Sequence, residues 1–207
     1  MPYSLDLVDP AVTNIVHPAR SNGLTSDEKR RAIAGHMKGI MEVLGLDLED
    51  DSLKDTPERI ARMYVDEIFS GLDTETFPRM TFVENRCDRG NEPQVIVVKA
   101  GFVSFCEHHF VPMMGEVTCA YIPKDKLIGL SKIPRIVRYF AKRPQIQERF
   151  TAQVADCLSL VLETEDVAVI TVANHLCVQA RGVEDEQNET QTRVLKGQFR
   201  EKPDLLH

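Results

Sequence analysis

The chain has 207 residues, 43% of them hydrophobic, and a formal net charge of -7, enough for one domain with a sizeable core and an added helical segment. The acidic balance argues against general nucleic-acid binding, and no apolar run is long enough for a membrane span. Met1-Pro2-Tyr3-Ser4-Leu5-Asp6 lacks the basic and apolar regions of a secretion signal, so a cytoplasmic protein is expected, and its five cysteines point to reduced thiols or metal ligation in place of a disulfide framework.

In chain order, residues 1–22 mix Pro2, Pro10 and Pro18 with short apolar pieces and read as an irregular arm. A helical segment over 23–76 follows. Its first helix opens at Ser26-Asp27-Glu28 and carries Ile33, Met37, Ile40, Met41 and Leu44 at helical spacing as far as Gly45. A second opens at Thr56-Pro57, read as an N-cap and a first-position proline, and ends near Ser70-Gly71. From 77 to 207 the texture is sheet-rich, with strands expected over 80–84, 94–100, 116–122 and 167–178. Two helices interrupt them. Ser131 is placed to cap the first, in which Ile133, Ile136, Val137 and Phe140 form an apolar stripe with Lys132, Arg135 and Arg138 off it. The second starts after Pro144 and carries Ile146, Phe150, Val154, Cys157, Leu158 and Val161 inside, whereas the acidic stretch 184–189 reads as a solvated loop. This order predicts an α+β fold with two helices on one face of an antiparallel sheet.

Two pieces carry chemistry. Cys106-Glu107-His108-His109 offers a thiolate and an imidazole at a spacing that one turn can aim at a single ion. In His175-Leu176-Cys177-Val178-Gln179-Ala180-Arg181-Gly182, apolar and polar residues alternate as on a strand, so His175 and Cys177 would face the same way. Cys106, His109 and Cys177 suit zinc, and three protein ligands leave a fourth position open, as catalytic sites do. A single free cysteine is more often a small buried apolar group, and Cys87, Cys119 and Cys157 are assigned no chemistry. His108 and His175 remain as acid/base candidates beside the metal. Ser131-Lys132 offers backbone N–H donors and a cation at a helix start, with Arg135 one turn on and Arg181 on the polar face with Cys177, an arrangement able to receive an anion.

Six motifs in order, Asp55-Thr56-Pro57-Glu58-Arg59, Cys106-Glu107-His108-His109-Phe110, Tyr121-Ile122-Pro123-Lys124, Gly129-Leu130-Ser131-Lys132, Arg143-Pro144-Gln145-Ile146-Gln147-Glu148-Arg149 and the piece from His175 to Gly182, resemble the GTP cyclohydrolase I family over residues 51–197. The resemblance implies the tunnelling fold over 77–207 as the catalytic domain, with subunits joining sheets into a homodecamer of two stacked pentamers. It implies Zn2+ as cofactor and GTP as substrate, opened at C8 and converted to formate and 7,8-dihydroneopterin triphosphate in pterin and tetrahydrofolate biosynthesis. His108 would protonate N7, His175 would carry protons, and Ser131 would act at the sugar oxygen. Lys132, Arg135 and Arg181 would hold the triphosphate, joined from a neighbouring subunit by Arg59 and by Arg62, which stands where lysine is usual in the family. Glu148, with Gln147 nearby, would accept the guanine N1–H and 2-amino group. The alternatives are a non-catalytic zinc-stabilised assembly protein that binds purine nucleotides and another tunnelling-fold enzyme acting on pterins or purines.

Overall fold

The structure, a computed structural model, describes residues 3–5, 22–86 and 94–206. Cys87 and most of the expected arm lie outside the described residues. The strands are β1 (Tyr3–Leu5), β2 (Met80–Glu84), β3 (Ile96–Cys106), β4 (Pro112–Tyr121), β5 (Lys126–Ile128), β6 (Pro144–Gln145), β7 (Val167–His175) and β8 (Thr190–Leu195). The arm is therefore not irregular throughout, because β1 pairs antiparallel with β2 in a small sheet of order β1-β2-β5. The main sheet has order β6-β3-β4-β7-β8 and is antiparallel except for the short β3/β6 pair.

The first helix, α1 (Ser26–Val43), starts where expected because Thr25 and Glu28 close a capping box: the Glu28 N–H donates to Thr25 Oγ1 and the Thr25 N–H to Glu28 Oε2. α1 packs on α2 (Thr56–Arg62). Asp55, not Thr56, occupies the N-cap of α2, and Pro57 falls in its first turn, where a missing N–H costs nothing. The chain then widens into a π-helical segment, Met63–Ile68, with the Phe69 N–H donating to the Tyr64 carbonyl at 3.2 Å.

Helices α3 (Lys132–Ala141) and α4 (Gln147–Leu162) cover one face of the main sheet, α3 over β3 and α4 over β7 and β8. The predicted stripe is the buried one: Ile133, Ile136, Val137 and Phe140 from α3 meet Phe150, Val154, Cys157 and Leu158 from α4 in a single core. Phe102 and Phe150 join sheet to helix with ring centroids 4.7 Å apart. Each such side chain contributes about 1.5–3 kcal/mol by leaving water. Ser131 sits at the N-cap of α3 but makes no capping bond with its side chain; the first turn is closed by the Lys132 N–H on the Gly129 carbonyl.

β3 runs six residues beyond its predicted end, and its alternation buries Ala100, Phe102, Ser104 and Cys106 toward the helices. Opposite it, Gly115 pairs with Phe102 on one side and Ala173 on the other. The strands approach so closely there that an added Cβ would lie 1.9 Å from the Val172 carbonyl oxygen. Among the described residues no helix is long and apolar enough to cross a membrane.

Gly115→Ala is expected to destabilise the protein by about 3 kcal/mol, since backbone must move to admit one methyl group. Gly39→Ala, in α1 with nothing within 4 Å of the new Cβ, should stabilise by up to about 1 kcal/mol. Urea unfolding of the two variants checks both signs.

Candidate active site

Cys106 ends the buried row of β3, and the chain reverses immediately after it. The Phe110 N–H donates to the Cys106 carbonyl at 2.8 Å, the Cys106 N–H to the Val111 carbonyl at 2.9 Å, and the Glu107 N–H to the Gln145 carbonyl of β6 at 3.0 Å. This tight loop brings His109 back over Cys106, with Nδ1 3.9 Å from Sγ. It also places Phe110 in the left-handed region, φ 52°, which a side chain such as phenylalanine adopts only under constraint. The constraint is aromatic. Phe110 meets Phe69 edge-on at 5.1 Å and Tyr64 at 6.2 Å between ring centroids, so the loop is braced against the π-helical segment.

The second expected piece is not a strand beyond its first residue. β7 ends at His175, paired with Met113, and Leu176–Gln179 forms one helical turn, α5, closed by the Ala180 N–H on the Leu176 carbonyl. The alternation of Leu176, Val178 and Ala180 is consistent with a strand, but β4 stops at Pro112 and β8 has already left the pairing at Ala173, so no ladder remains to extend it. The turn sends Cys177 toward Cys106, while His175 meets Gln147.

Cys106, His109 and Cys177 offer donor atoms that all lie within 4.8 Å of one another. Two sulfurs and one imidazole nitrogen at that separation suit a tetrahedral ion with one position open. The electrostatics agree. Burial, then the neighbouring Cys106, pushes the Cys177 thiol up, so the Cys177 sulfur keeps its proton until a cation offsets the charge. Arg181 NH1 lies 3.1 Å from His109 Nε2, and a guanidinium only donates, so Nε2 is the acceptor in that contact.

His175 is fixed by Gln147. The Gln147 amide nitrogen donates to the carbonyls of Thr171 and Thr190 at 3.1 and 2.9 Å, which turns its oxygen toward His175 Nε2 at 2.7 Å. An amide oxygen only accepts; Nε2 therefore carries the proton and, in the neutral ring, Nδ1 is left with a free lone pair. Burial holds the His175 pKa below its ordinary value, and the Glu148 carboxylate opposes that shift. Glu148 thus lies near enough to be felt by His175, and it is exposed. The Gln147 side chain is 2% exposed, and both ends of its amide are bonded within the chain.

His108 lies beside the cluster with Nδ1 3.9 Å from Cys106 Sγ, and Glu107 stands 3.8 Å from its Nε2 while also pairing with Arg149. The Glu107–Arg149 pair bridges residues 42 apart, and no local spacing announces it. Ser131, Lys132 and Arg135 sit together at the start of α3, Ser131 and Arg135 exposed. On α2, Arg59 is held by Asp55 at 3.1 Å and by the Ser52 carbonyl at 3.4 Å, and Arg62 is exposed at the C-terminal end.

Phe110→Ala keeps the left-handed backbone and removes its brace. Two edge-on ring contacts of about 0.5–1.5 kcal/mol each are lost, so a metal ion loaded at Cys106, His109 and Cys177 should dissociate about tenfold faster into a chromophoric chelator. An unchanged rate would mean that the loop holds its shape without the ring.

The cysteines should also separate by reactivity. Burial pushes the Cys119 thiol up to about 12 and raises Cys157 further, so both stay protonated and shielded at pH 8. After chelation, alkylation followed by peptide mapping should label Cys177 and Cys106 and leave Cys119 and Cys157 unmodified until the protein is unfolded.

The family model described as GTP cyclohydrolase I matches residues 33–207. GTP cyclohydrolase 1 of Tolumonas auensis is 51% identical over 190 residues, 92% of this chain and 87% of that protein. The enzyme of the same name from Aeromonas hydrophila is 52% identical over 187 residues, 90% of this chain and 85% of that one. Among solved structures, the apo form of the archaeosine synthase QueF-Like matches 52% of this chain and 97% of its own at 15% identity, with a TM-score of 0.43. With a family model spanning most of its length and relatives identical at every second position, the chain belongs to the GTP cyclohydrolase I family.

Proposed function

We propose that the chain is a zinc enzyme that converts GTP and water to formate and 7,8-dihydroneopterin triphosphate, the entry to pterin and tetrahydrofolate biosynthesis. The observation that supports it most is the convergence of Cys106, His109 and Cys177 next to two histidines that are not needed as ligands. Zinc bound there supplies a Lewis acid and makes water a nucleophile near neutral pH. The chain's own groups do the rest. His175 takes a proton at Nδ1, because Gln147 occupies Nε2 and burial keeps the ring neutral. His108 delivers a proton to N7 of the purine. Glu148, exposed at the start of α4, receives the guanine N1–H and 2-amino group, a pairing adenine cannot offer. Gln147 serves as a positioning residue for His175 and not as a guanine contact. Lys132, Arg135 and Arg181 take the triphosphate, and Ser131 acts at the ribose oxygen. Arg59 and Arg62 reach the site of an adjacent subunit in a decamer of two stacked pentamers. The helical segment 23–76 is the part that delivers them, beside a catalytic domain over 77–207, in a cytoplasmic enzyme.

The test is to incubate the zinc-loaded protein with GTP and to measure formate together with the fluorescent pterin formed on oxidation. Both should appear in equal amounts, and neither with ATP. His109→Ala should lose zinc, whereas His108→Ala should keep it and lose turnover by about 10²–10⁴-fold. A fully metallated His109→Ala beside an empty His108→Ala would reverse the two roles. Zinc-loaded protein that binds GTP and releases no formate would sink the catalytic reading and leave a nucleotide-binding one.

A further inference from the structure

Away from the sulfur cluster, a cavity of about 210 Å³ opens between the loop that carries Ser70, Gly71, Thr76 and Pro78 and the outer side of α3. Arg135, Arg138 and Lys142, at helical spacing along one stripe, all line it. Among the described residues none of the three is in an ion pair. Three like charges around one small space repel one another, which stabilises nothing until a counter-charge arrives.

The wall behind them is more telling. Tyr139 also lines the cavity; it is 4% exposed, and its hydroxyl has no hydrogen-bond partner. Behind Tyr139 and Gly71 lies Arg143, fully buried. Its Nε donates to the Gly71 carbonyl at 2.8 Å, its guanidinium stacks 4.7 Å from the Tyr139 ring centroid, and both terminal nitrogens lack partners. Gly71 admits no side chain here, since a Cβ would lie 2.2 Å from the Tyr139 carbonyl, so the loop is drawn tightly onto the helix. A buried guanidinium with two unanswered donors is costly, and the field it sets up adds to that of the three cations in front. The one carboxylate felt by Tyr139 is Asp73, whose Oδ1 is already taken by the Glu75 N–H.

We propose that this cavity is an oxyanion site for inorganic phosphate or a phosphate monoester, held by Arg138, Lys142 and the Tyr139 hydroxyl, with Arg135 at its rim. Cationic donors of this kind form charge-assisted hydrogen bonds with phosphate oxygens, and the Tyr139 hydroxyl, buried against the Arg143 guanidinium, supplies a neutral donor. Arg138 and Lys142 lie outside the residues assigned to GTP, whereas Arg135 is shared. Phosphate in the cavity therefore draws on a cation that the triphosphate also needs, so the two anions weaken each other's binding by the same factor.

The experiment is equilibrium dialysis of radiolabelled inorganic phosphate against the zinc-loaded full-length protein, with chloride holding ionic strength constant. One phosphate should bind per chain. The double variant Arg138→Gln/Lys142→Gln should bind at least about tenfold more weakly, and Tyr139→Phe a few-fold more weakly, while Lys132→Ala and Arg181→Ala bind it as the wild type does. The double variant's far-ultraviolet circular dichroism should be unchanged, because Arg138 is exposed and Lys142 only half-buried. The double variant should also lose most of the phosphate inhibition of GTP turnover. Absence of phosphate binding by the wild type would overturn the proposal. Binding that survives the double variant but disappears in Lys132→Ala would overturn it too, by assigning the phosphate to the triphosphate group.

Discussion

The site depends on strands that stop together. β3 and β4 pair up to Phe105 and Pro112, β4 and β7 up to Met113 and His175, and β6 joins alongside with Cys106 opposite Gln145. One end of one sheet thus presents Cys106, His175 and the residue pair leading into α4. Because side chains alternate along each strand, a slip of one residue in any of these pairings would turn Cys106 away from the helices or His175 away from Gln147. The hydrophobic face under α3 and α4 opposes such a slip, since it would expose Ala100 and Phe102 at the same time. Core packing and ligand geometry are therefore enforced by the same register.

Two histidines in the same neighbourhood receive opposite electrostatic surroundings. His175 is partly withdrawn from water and receives a neutral acceptor from Gln147, so it stays uncharged. His108 is exposed and stands beside the Glu107 carboxylate, whose charge is shared with Arg149.

Much of the frame was legible from residue pattern, because it rests on local rules. The start of α1 at Ser26, the bounds of β2 and the buried stripe of α3 all follow from neighbours within one or two turns. The convergence of Cys106, His109 and Cys177 was expected too, the first two because Cys-x-x-His needs only one turn, the third from a strand that the structure replaces with a helical turn. What was hidden depends on distant partners. The end of β7 at His175 is decided by where β4 runs out, and the strand β8 was passed over although Thr190, Thr192 and Val194 carry β-branched residues in alternation. Gln147 was assigned to the substrate by resemblance, and the acceptors that hold its amide nitrogen come from Thr171 and Thr190, 24 and 43 residues away. Phe110 gave no sign of its left-handed backbone, which tertiary contacts impose.

The π-helical stretch from Met63 to Ile68 has a bearing on how such a chain can change over generations. Tyr64 and Phe69 are five residues apart, a separation that sets side chains about 140° apart around an ordinary α-helix, yet their rings meet at 5.4 Å and both reach Phe110. The widened turn is what brings them to one side. Removing or adding a single residue there would act as a rotation of the helix more than as a change of length, carrying one ring away from the loop that follows Cys106. The segment lies some forty residues before Cys106, so its length is constrained by a loop far along the chain.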